Sequence, residues 1–177
     1  SRHYVEKLVY LPDTYQVNYY PVADFERGTT VDRASEPQGL REAYYVSQTP
    51  SPAPPKWATF VFANFNKVDK LGLGSWRTWM RVLKRVPGSV LWLLEPSERT
   101  KASDIEGRLR REAMACGVHP RRIVFAPRRS KRFHVARFEH ADLFLDTFVY
   151  GAHSTATDAL RGGLPVLTFQ RENFASR

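Results

Sequence analysis

The stretch 142–169, DLFLDTFVYGAHSTATDALRGGLPVLTF, constrains the fold of this chain more than any other part of the sequence. It holds an apolar run at Asp142–Leu145, a helical segment at Ser154–Arg161 that two glycines end, and a second apolar run at Pro165–Phe169. The apolar face predicted for the helix consists of Ala156, Ala159 and Leu160. A short strand, a helix and another short strand are typical of a βαβ unit in a parallel sheet.

The same alternation of strands and helices continues upstream as far as Trp57. Further strands are predicted at Thr59–Phe65, Val90–Leu94 and Ile123–Ala126. The run VLWLL at Val90–Leu94 is apolar at every position, which is typical of a strand covered on both faces. The sequence therefore predicts an α/β fold, with about five strands in a doubly wound parallel sheet joined by right-handed crossovers.

Capping signals predict where the helices begin. Ser75 is expected to cap a first helix, and Ser103 with Glu106 forms the capping box of a second helix, which Gly117 closes. Ser130 is expected to cap a short third helix. The predicted apolar faces are Trp76, Trp79, Met80, Leu83 and Val86 in the first helix and Ile105, Leu109, Ala113 and Cys116 in the second.

The first 56 residues lack this alternation. Residues 1–22 have too little apolar periodicity for a core of their own, so we expect them to pack against another part of the protein. Residues 23–56 include the proline stretch TPSPAPPK, which favours extended polyproline geometry, and are predicted to be a linker or surface insertion. The regular domain is expected to span residues 57–177 and to be truncated at its C-terminal end.

Charge and cysteine content narrow the classes of partner. A net charge of +9 favours a polyanion, which could be nucleic acid, a membrane surface or a phosphorylated ligand. No apolar run is long enough to cross a bilayer, and the opening SRHYVEKL is not a secretory signal. The single cysteine, Cys116, excludes an internal disulfide and is expected to be a buried, inert thiol, which fits a reducing compartment.

Three loops that follow predicted strands are expected to meet at one edge of the sheet, where ligands bind in such folds. They contribute Lys67 and Lys70 from the first loop, Arg129, Lys131 and His134 from the second, and His153, Ser154 and Thr155, with Asp158 one turn on, from the third. The third loop opens a helix, whose unpaired N–H groups suit phosphate. Cations facing a helix N-terminus predict a site for a ligand with at least two phosphates.

Other kinds of site are less well supported by the residues. No histidine or cysteine pair has metal-site spacing, no acidic cluster stands at a strand end, and there is no Walker loop or glycine triplet after the first strand. A lysine near a bridging oxygen can stabilise the charge of a leaving diphosphate in place of a metal. A basic nucleic-acid-binding domain that uses Arg121–Arg132 stays open, although such sites usually interleave aromatic residues for stacking.

Several segments resemble, in order and spacing, the catalytic region of the O-linked N-acetylglucosamine transferase family. They are NFNKVDK (64–70), LKRVPGSVLWLL (83–94), RIVFAP…K..H (122–134) and LFLDTFVYGAHSTATDALRGGLPVLT…ASR (143–177), and EKLVYLPDTYQ (6–16) resembles the link ahead of the family's second lobe. The resemblance covers nearly the whole chain except 21–56. It implies the Rossmann-like second lobe of a GT-B glycosyltransferase, the lobe that binds UDP.

The resemblance also assigns roles to individual residues. Lys70 falls on the family lysine that contacts the diphosphate, which makes it the catalytic candidate, and Lys67 stands where the family has a donor-binding glutamine. The other donor-binding positions are Lys131, His134 and Arg137 around the uridine, His153, Ser154 and Thr155 at the phosphates, and Asp158 at the ribose.

The family's activity implies the substrates and partners. Its members transfer N-acetylglucosamine from UDP to serine or threonine hydroxyls of nuclear and cytosolic proteins, with inversion and without a metal. The resemblance implies UDP-GlcNAc as donor, no cofactor, protein acceptors, and a cytoplasmic or nuclear location. A first catalytic lobe and tetratricopeptide (TPR) repeats are expected to precede residue 1, so the chain alone is expected to show little or no transferase activity.

Two further alternatives stay open within the family. A plant-type branch transfers fucose from GDP-fucose and lacks the histidine at the position of His153, so this residue favours the N-acetylglucosamine branch. A catalytically silent relative that serves as a scaffold is the other alternative.

Overall fold

A computed structural model of the chain describes residues 52–97 and 104–170, and a sheet of five parallel strands lies at its centre. The strands are β1 (Phe60–Asn64), β2 (Ser89–Leu94), β3 (Ile123–Ala126), β4 (Leu143–Leu145) and β5 (Val166–Leu167). Their order across the sheet is β3-β2-β1-β4-β5, and every neighbouring pair is parallel. The predicted doubly wound α/β fold is confirmed, whereas the predictions for 1–22 and for most of 23–56 lie outside the described residues.

Helices connect the strands in the order that the sequence predicts. They are α1 (Leu73–Arg85), α2 (Ile105–Ala115), α3 (Lys131–Ala136) and α4 (Ser154–Arg161), with 3-10 turns at Val68–Lys70, Pro120–Arg122 and Arg137–His140. None of the described helices has the length and apolar content that a membrane-spanning helix needs.

Side chains on β1 alternate between two apolar layers, one on each face of the sheet. Val61 and Ala63 pack in a cluster with Phe138 and with Ala159 of α4, whereas Phe62 packs with α1 and α2. The buried α1 residues of the second layer are Trp76, Trp79, Met80 and Leu83. Burying each such side chain contributes about 1.5–3 kcal/mol, so these layers fix where the helices lie. All six residues of β2 are buried, as its apolar run predicts.

The start of α1 differs from the prediction. The helix begins at Leu73 with Gly72 at the N-cap, three residues ahead of the expected start, so the predicted cap at Ser75 is wrong. Ser75 is buried in the first turn, and its hydroxyl oxygen accepts a hydrogen bond from the backbone N–H of Phe148 at 2.9 Å. A tertiary contact therefore uses the hydroxyl that a local pattern assigns to capping.

Of the other two predicted caps, the structure describes Ser130. Ser103 lies outside the described residues, and Asp104 stands at the N-cap of α2 with a φ of 45° and no capping hydrogen bond. Ser130 occupies the N-cap of α3 as predicted, but its side chain makes no capping hydrogen bond.

Glycines in the left-handed conformation follow two helices, Gly117 after α2 and Gly163 after α4. Gly117 follows α2 with a φ of 77°, which lets the N–H of Val118 bond to the carbonyl of Ala113 at 2.9 Å. The predicted closure at Gly117 is therefore confirmed. Cys116 beside it packs against the core but is partly exposed, so it is less buried than the sequence predicts. On α4, Leu160 is 62% exposed, so its place on the predicted apolar face is wrong.

The connection from β3 to β4 crosses the sheet, because β2 and β1 lie between these strands. It carries His134 and Phe138, whose rings lie 5.6 and 5.1 Å from the ring of Phe65, the residue that follows β1. Gly162, after α4, lets the chain approach this crossover, since a Cβ there would lie 2.7 Å from the Cβ of Phe138. The crossover thus brings α3 beside α4.

Candidate functional site

The candidate site lies where the strand order reverses. The chain passes from β1 outward through β2 to β3 and then returns to β4 on the other side of β1. Loops that leave β1 and β4 therefore diverge and open a crevice at the carboxyl edge, the usual ligand position in open α/β sheets. The loop after β1 carries Lys67 and Lys70, and the loop 146–153, which we call the β4–α4 loop, leads into helix α4.

Lys70 joins the two sides of this crevice. Its Nζ atom donates a hydrogen bond to the carbonyl oxygen of Gly151 at 2.9 Å and lies 4.2 Å from the ring centroid of Tyr150. Burial lowers the pKa of Lys70, the negative charge of Asp146 opposes this effect, and neighbouring Lys67 adds to it. Lys67 itself is exposed. Gly151, the partner of Lys70, precedes Ser154 by three residues. The structure thus places Lys70 and Ser154 at the same edge of the sheet.

His153 stands at the N-cap of α4. Its carbonyl oxygen accepts the first helical hydrogen bond, from the N–H of Ala156 at 3.0 Å, whereas its side chain makes no capping bond. The imidazole lies 5.0 Å from the Tyr150 ring, and partial burial, together with the charge of Lys70, lowers the pKa of His153. Ser154 is exposed and Thr155 partly so, which puts two hydroxyls at the first turn of α4.

Asp158 links this first turn to helix α3. Its carboxylate is buried, pairs with the Lys131 ammonium at 2.5 Å and lies 3.9 Å from Nε2 of His134. Asp158 lies one turn after Ser154, so a ligand on the helix N-terminus can extend toward this cluster. The structure therefore brings together Lys131 of α3 and Asp158 of α4, which are 27 positions apart in sequence.

His134 is held in its neutral form at physiological pH. Its imidazole packs between Phe65 and Phe138, and burial lowers its pKa to about 4. The positive charge of Arg137 acts in the same direction, whereas Asp158 opposes it. A neutral imidazole has one N–H donor and one acceptor nitrogen, which suits a polar heterocycle better than a phosphate.

Arg137 is the most unusual residue of the site. It is 2% exposed, and none of its three guanidinium nitrogens has a hydrogen-bond partner within the described part of the chain. Its guanidinium lies 5.3 Å from the Phe65 ring centroid, and burial, followed by repulsion from Arg129, lowers its pKa to about 10. Buried charged donors without acceptors are costly, so this position is suited to a ligand that supplies acceptor atoms.

Arg129 lies near Arg137 but contributes in a different way. Its Nη1 donates to the carbonyl of Arg128 at 3.2 Å, and the N–H of Arg128 donates to a carboxylate oxygen of Glu95 at 2.9 Å. These bonds shape the loop after β3.

The predicted site residues thus form two neighbouring groups, which α4 connects. One contains Lys67, Lys70, His153, Ser154 and Thr155, and the other contains Arg129, Lys131, His134, Arg137 and Asp158.

The sequence interpretation missed the buried polar residues that organise this edge. Asp146, directly after β4, and Asn64 and Asn66, at the end of β1, are all buried. Asn64 Nδ2 donates to the carbonyl of Leu145 at 2.6 Å, which ties the end of β1 to the end of β4. A polar residue that directly follows an apolar strand was the available signal, since such residues line the carboxyl edge.

The basic run 121–132 does not form one continuous surface. Arg122 is drawn inward, where its guanidinium donates to the carbonyls of Leu83, Val86 and Ser89 at 2.7, 2.8 and 2.6 Å. Arg121 lies over the Trp57 ring, 5.1 Å from its centroid. Because these cations serve the fold, the structure gives little support to the nucleic-acid alternative.

In the described ranges, no three His, Cys, Asp or Glu side chains are grouped so that they could hold a metal ion.

Residues 54–177 match the model of the family described as "Glycosyl transferase family 41". The chain is 37% identical, over 98% of its length, to a probable UDP-N-acetylglucosamine–peptide N-acetylglucosaminyltransferase named SEC from Arabidopsis thaliana, of which it covers 16%. It is also 37% identical, over 66% of its length, to the UDP-N-acetylglucosamine–peptide N-acetylglucosaminyltransferase of Caenorhabditis elegans, of which it covers 10%. The chain thus spans a small part of these relatives.

A solved structure shares the fold. It is a lysine-to-methionine mutant of the Thermobaculum terrenum O-GlcNAc transferase, with a TM-score of 0.60 and 26% sequence identity. The similarity covers 73% of this chain and 25% of that one.

Proposed function

This chain belongs to glycosyl transferase family 41, the family to which the resemblance of its motifs pointed, and on that premise we propose that it forms the donor-nucleotide-binding part of an inverting, metal-independent glycosyltransferase. The reaction is transfer of N-acetylglucosamine from UDP-GlcNAc to serine or threonine hydroxyls of proteins in the cytoplasm or nucleus. The relatives that share its sequence are named for N-acetylglucosamine transfer from UDP to peptide, which supports this donor and acceptor.

One observation carries the proposal: Lys70 and the N-terminus of α4 stand together at the switch point of the sheet. The Lys70 ammonium reaches the β4–α4 loop at Gly151, next to the turn of His153, Ser154 and Thr155. A cation and a helix N-terminus at one edge form a binding site for two adjacent phosphates. Lys70 would then stabilise the negative charge that builds on the leaving diphosphate as the glycosidic bond breaks.

The second group of residues supports recognition of a nucleoside. Neutral His134 and buried Arg137 offer N–H donors beside the aromatic ring of Phe65, a setting that suits the carbonyl oxygens of a pyrimidine base. Asp158 lies between this group and the helix N-terminus, where its carboxylate can accept hydrogen bonds from ribose hydroxyls. The order from His134 through Asp158 to the first turn of α4 therefore matches the order base, ribose, diphosphate.

The remaining machinery is expected outside this chain. We assign the base that deprotonates the acceptor hydroxyl to a first catalytic lobe, and presentation of the protein acceptor to TPR repeats. The isolated 177-residue chain is then expected to bind UDP without turning over the donor. Detectable transfer of radiolabelled N-acetylglucosamine by the isolated chain would contradict this division of labour.

Calorimetric titration of the 177-residue chain with UDP, GDP and a short oligonucleotide tests the donor class. We expect saturable 1:1 binding of UDP, with GDP at least about tenfold weaker because the larger base does not fit the same donors. Preference for GDP would favour the GDP-fucose alternative. Tight oligonucleotide binding that falls steeply with salt would favour the nucleic-acid alternative and contradict the proposal.

A further inference from the structure

Asp146 is a buried acid that the proposed chemistry does not use. It directly follows β4 as the first residue of the β4–α4 loop and is 6% exposed. Burying a carboxylate is costly unless donors surround it, so its position in the crevice calls for an explanation.

Four donors converge on this carboxylate. Its Oδ1 accepts hydrogen bonds from the backbone N–H groups of Thr147 and Ala152, both at 2.7 Å, and lies 3.4 Å from Nδ2 of Asn66. Its Oδ2 accepts from the Thr168 hydroxyl at 2.8 Å. The carboxylate thus ties together the loop after β1, both ends of the β4–α4 loop, and the segment after β5.

The two backbone bonds close the β4–α4 loop on itself. Thr147 is the second residue of the loop, and Ala152 immediately precedes the N-cap residue His153. The loop wraps the carboxylate so closely that a Cβ on Gly151 would lie 3.0 Å from Oδ2. This closure presents the Gly151 carbonyl to Lys70 and sets the position at which α4 begins.

The charge of Asp146 also acts on the cationic groups of the crevice. It raises the pKa of both Lys70 and His153, against the lowering that burial causes in each. The other groups that face Lys70 are Lys67, His153 and the ring of Tyr150. Asp146 is the carboxylate in this set, and its negative charge favours the charged form of the ammonium.

We propose that Asp146 is the positioning residue of the diphosphate site, whose carboxylate fixes the β4–α4 loop so that Lys70 and the first turn of α4 face one ligand. This inference rests on the proposed function of that edge. Asp146 itself touches no reacting atom, and it acts through Lys70 and the loop backbone.

Two substitutions separate the hydrogen bonds from the charge. Asp146→Ala removes both, whereas Asp146→Asn keeps an oxygen acceptor for the Thr147 and Ala152 N–H groups and removes the charge. In Asp146→Ala we expect amide hydrogen exchange at Ala152 to speed up by about tenfold or more, and the affinity for UDP to fall by a similar factor. In Asp146→Asn we expect near-native exchange at Ala152, but a lower pKa of His153 in an NMR titration.

Asp142→Asn is the matched control, since this exposed acid stands at the opposite end of β4, where it accepts from the N–H of Val61 at 2.7 Å. It should leave the His153 titration and the UDP affinity unchanged. If exchange at Ala152 stays native in Asp146→Ala, the positioning role is wrong. If that variant does not fold, exchange at Ala152 in Asp146→Asn decides instead, because a rate raised about tenfold there would show that the retained oxygen acceptor does not hold the loop and would overturn the inference. Absence of UDP binding by the wild-type chain would refute the proposed function, while the exchange rates would still decide whether Asp146 fixes the loop.

Discussion

The Nζ atom of Lys70 lies 2.9 Å from the carbonyl oxygen of Gly151, a residue 81 positions further along the chain. This bond bridges the two loops that diverge at the switch point of the sheet. An ammonium has three N–H donors, and this bond uses one of them. The side chain is therefore held at the crevice by protein contacts and keeps donor capacity for a phosphate.

The first prediction concerns the charge of Lys70. Lys70→Ala should weaken UDP binding by about 10- to 100-fold, because a hydrogen bond to a charged group contributes roughly 1.5–3 kcal/mol. Calorimetric titration measures the change. Lys84→Ala is the control, because it removes an equal charge from α1, where the Lys84 ammonium lies near Gly117. Equal losses in both variants would mean that net charge, and no specific contact, attracts UDP.

The second prediction separates the nucleoside from the diphosphate. Asp158→Ala should weaken UDP by about tenfold, because the carboxylate that pairs with Lys131 and faces His134 is lost. The same substitution should not weaken the binding of inorganic pyrophosphate, since removing a buried negative charge favours the binding of an anion. Competition titrations with the two ligands on one sample test this difference. A parallel loss for both ligands would place Asp158 at the phosphates.

The third prediction is a pH dependence of stability caused by His134. The unfolded chain takes up a proton on this imidazole near pH 6.5, whereas the folded chain does so only near pH 4. Between these two pH values the unfolded chain binds a proton on His134 that the folded chain does not bind. Neutral His134 therefore contributes stability that is fully present above pH 6.5 and is lost as the pH falls toward 4. The expected loss between pH 7 and pH 5 is about 2 kcal/mol.

Urea unfolding of the wild type and of His134→Phe at both pH values measures this loss. The aromatic replacement retains the packing against Phe65 and Phe138 but cannot titrate. The wild type should lose about 2 kcal/mol more than the variant on acidification. Parallel pH profiles would show that His134 is not the group responsible.

The fourth prediction concerns a basic residue that serves the fold. Arg122 donates to three backbone carbonyls around the end of α1 and to the Ser89 hydroxyl, so Arg122→Met should destabilise the chain by about 2–4 kcal/mol. Arg121→Met, on the exposed neighbour stacked over Trp57, should cost under about 1 kcal/mol. Thermal unfolding gives both values. A larger loss of stability in Arg121→Met than in Arg122→Met would reverse this assignment.

Local patterns predicted individual elements well where local chemistry decides them. The bounds of α4, Ser154–Arg161, are those that the sequence indicates, because a cap-like turn and two glycines delimit it. Patterns failed where a long-range contact competes. Ser75 is a good capping residue, yet its hydroxyl binds the Phe148 N–H, and helix α1 begins earlier, at Leu73.

The residues of the candidate site were partly predictable for the same reason. Polar residues that follow apolar strands must lie at the carboxyl edge of a parallel sheet, whichever strands are neighbours. Lys70, His153 and Ser154 were found in this way. Arg137 was assigned from family resemblance alone, because nothing in its local sequence shows that a crossover buries it at 2% exposure with no hydrogen-bond partner for its guanidinium among the described residues.

The sequence by itself determined the alternation of strands and helices, the single edge at which the polar loops end, and the excess of cations there. These follow from apolar periodicity and turn chemistry, which act over a few residues. Only the tertiary structure decided the strand order β3-β2-β1-β4-β5. That order sets β4 beside β1, so that Lys70 meets Gly151, and it draws the β3–β4 crossover over Phe65. The apolar sequence pattern of a strand does not depend on which strand lies beside it, so the packing of the whole sheet determines the strand order.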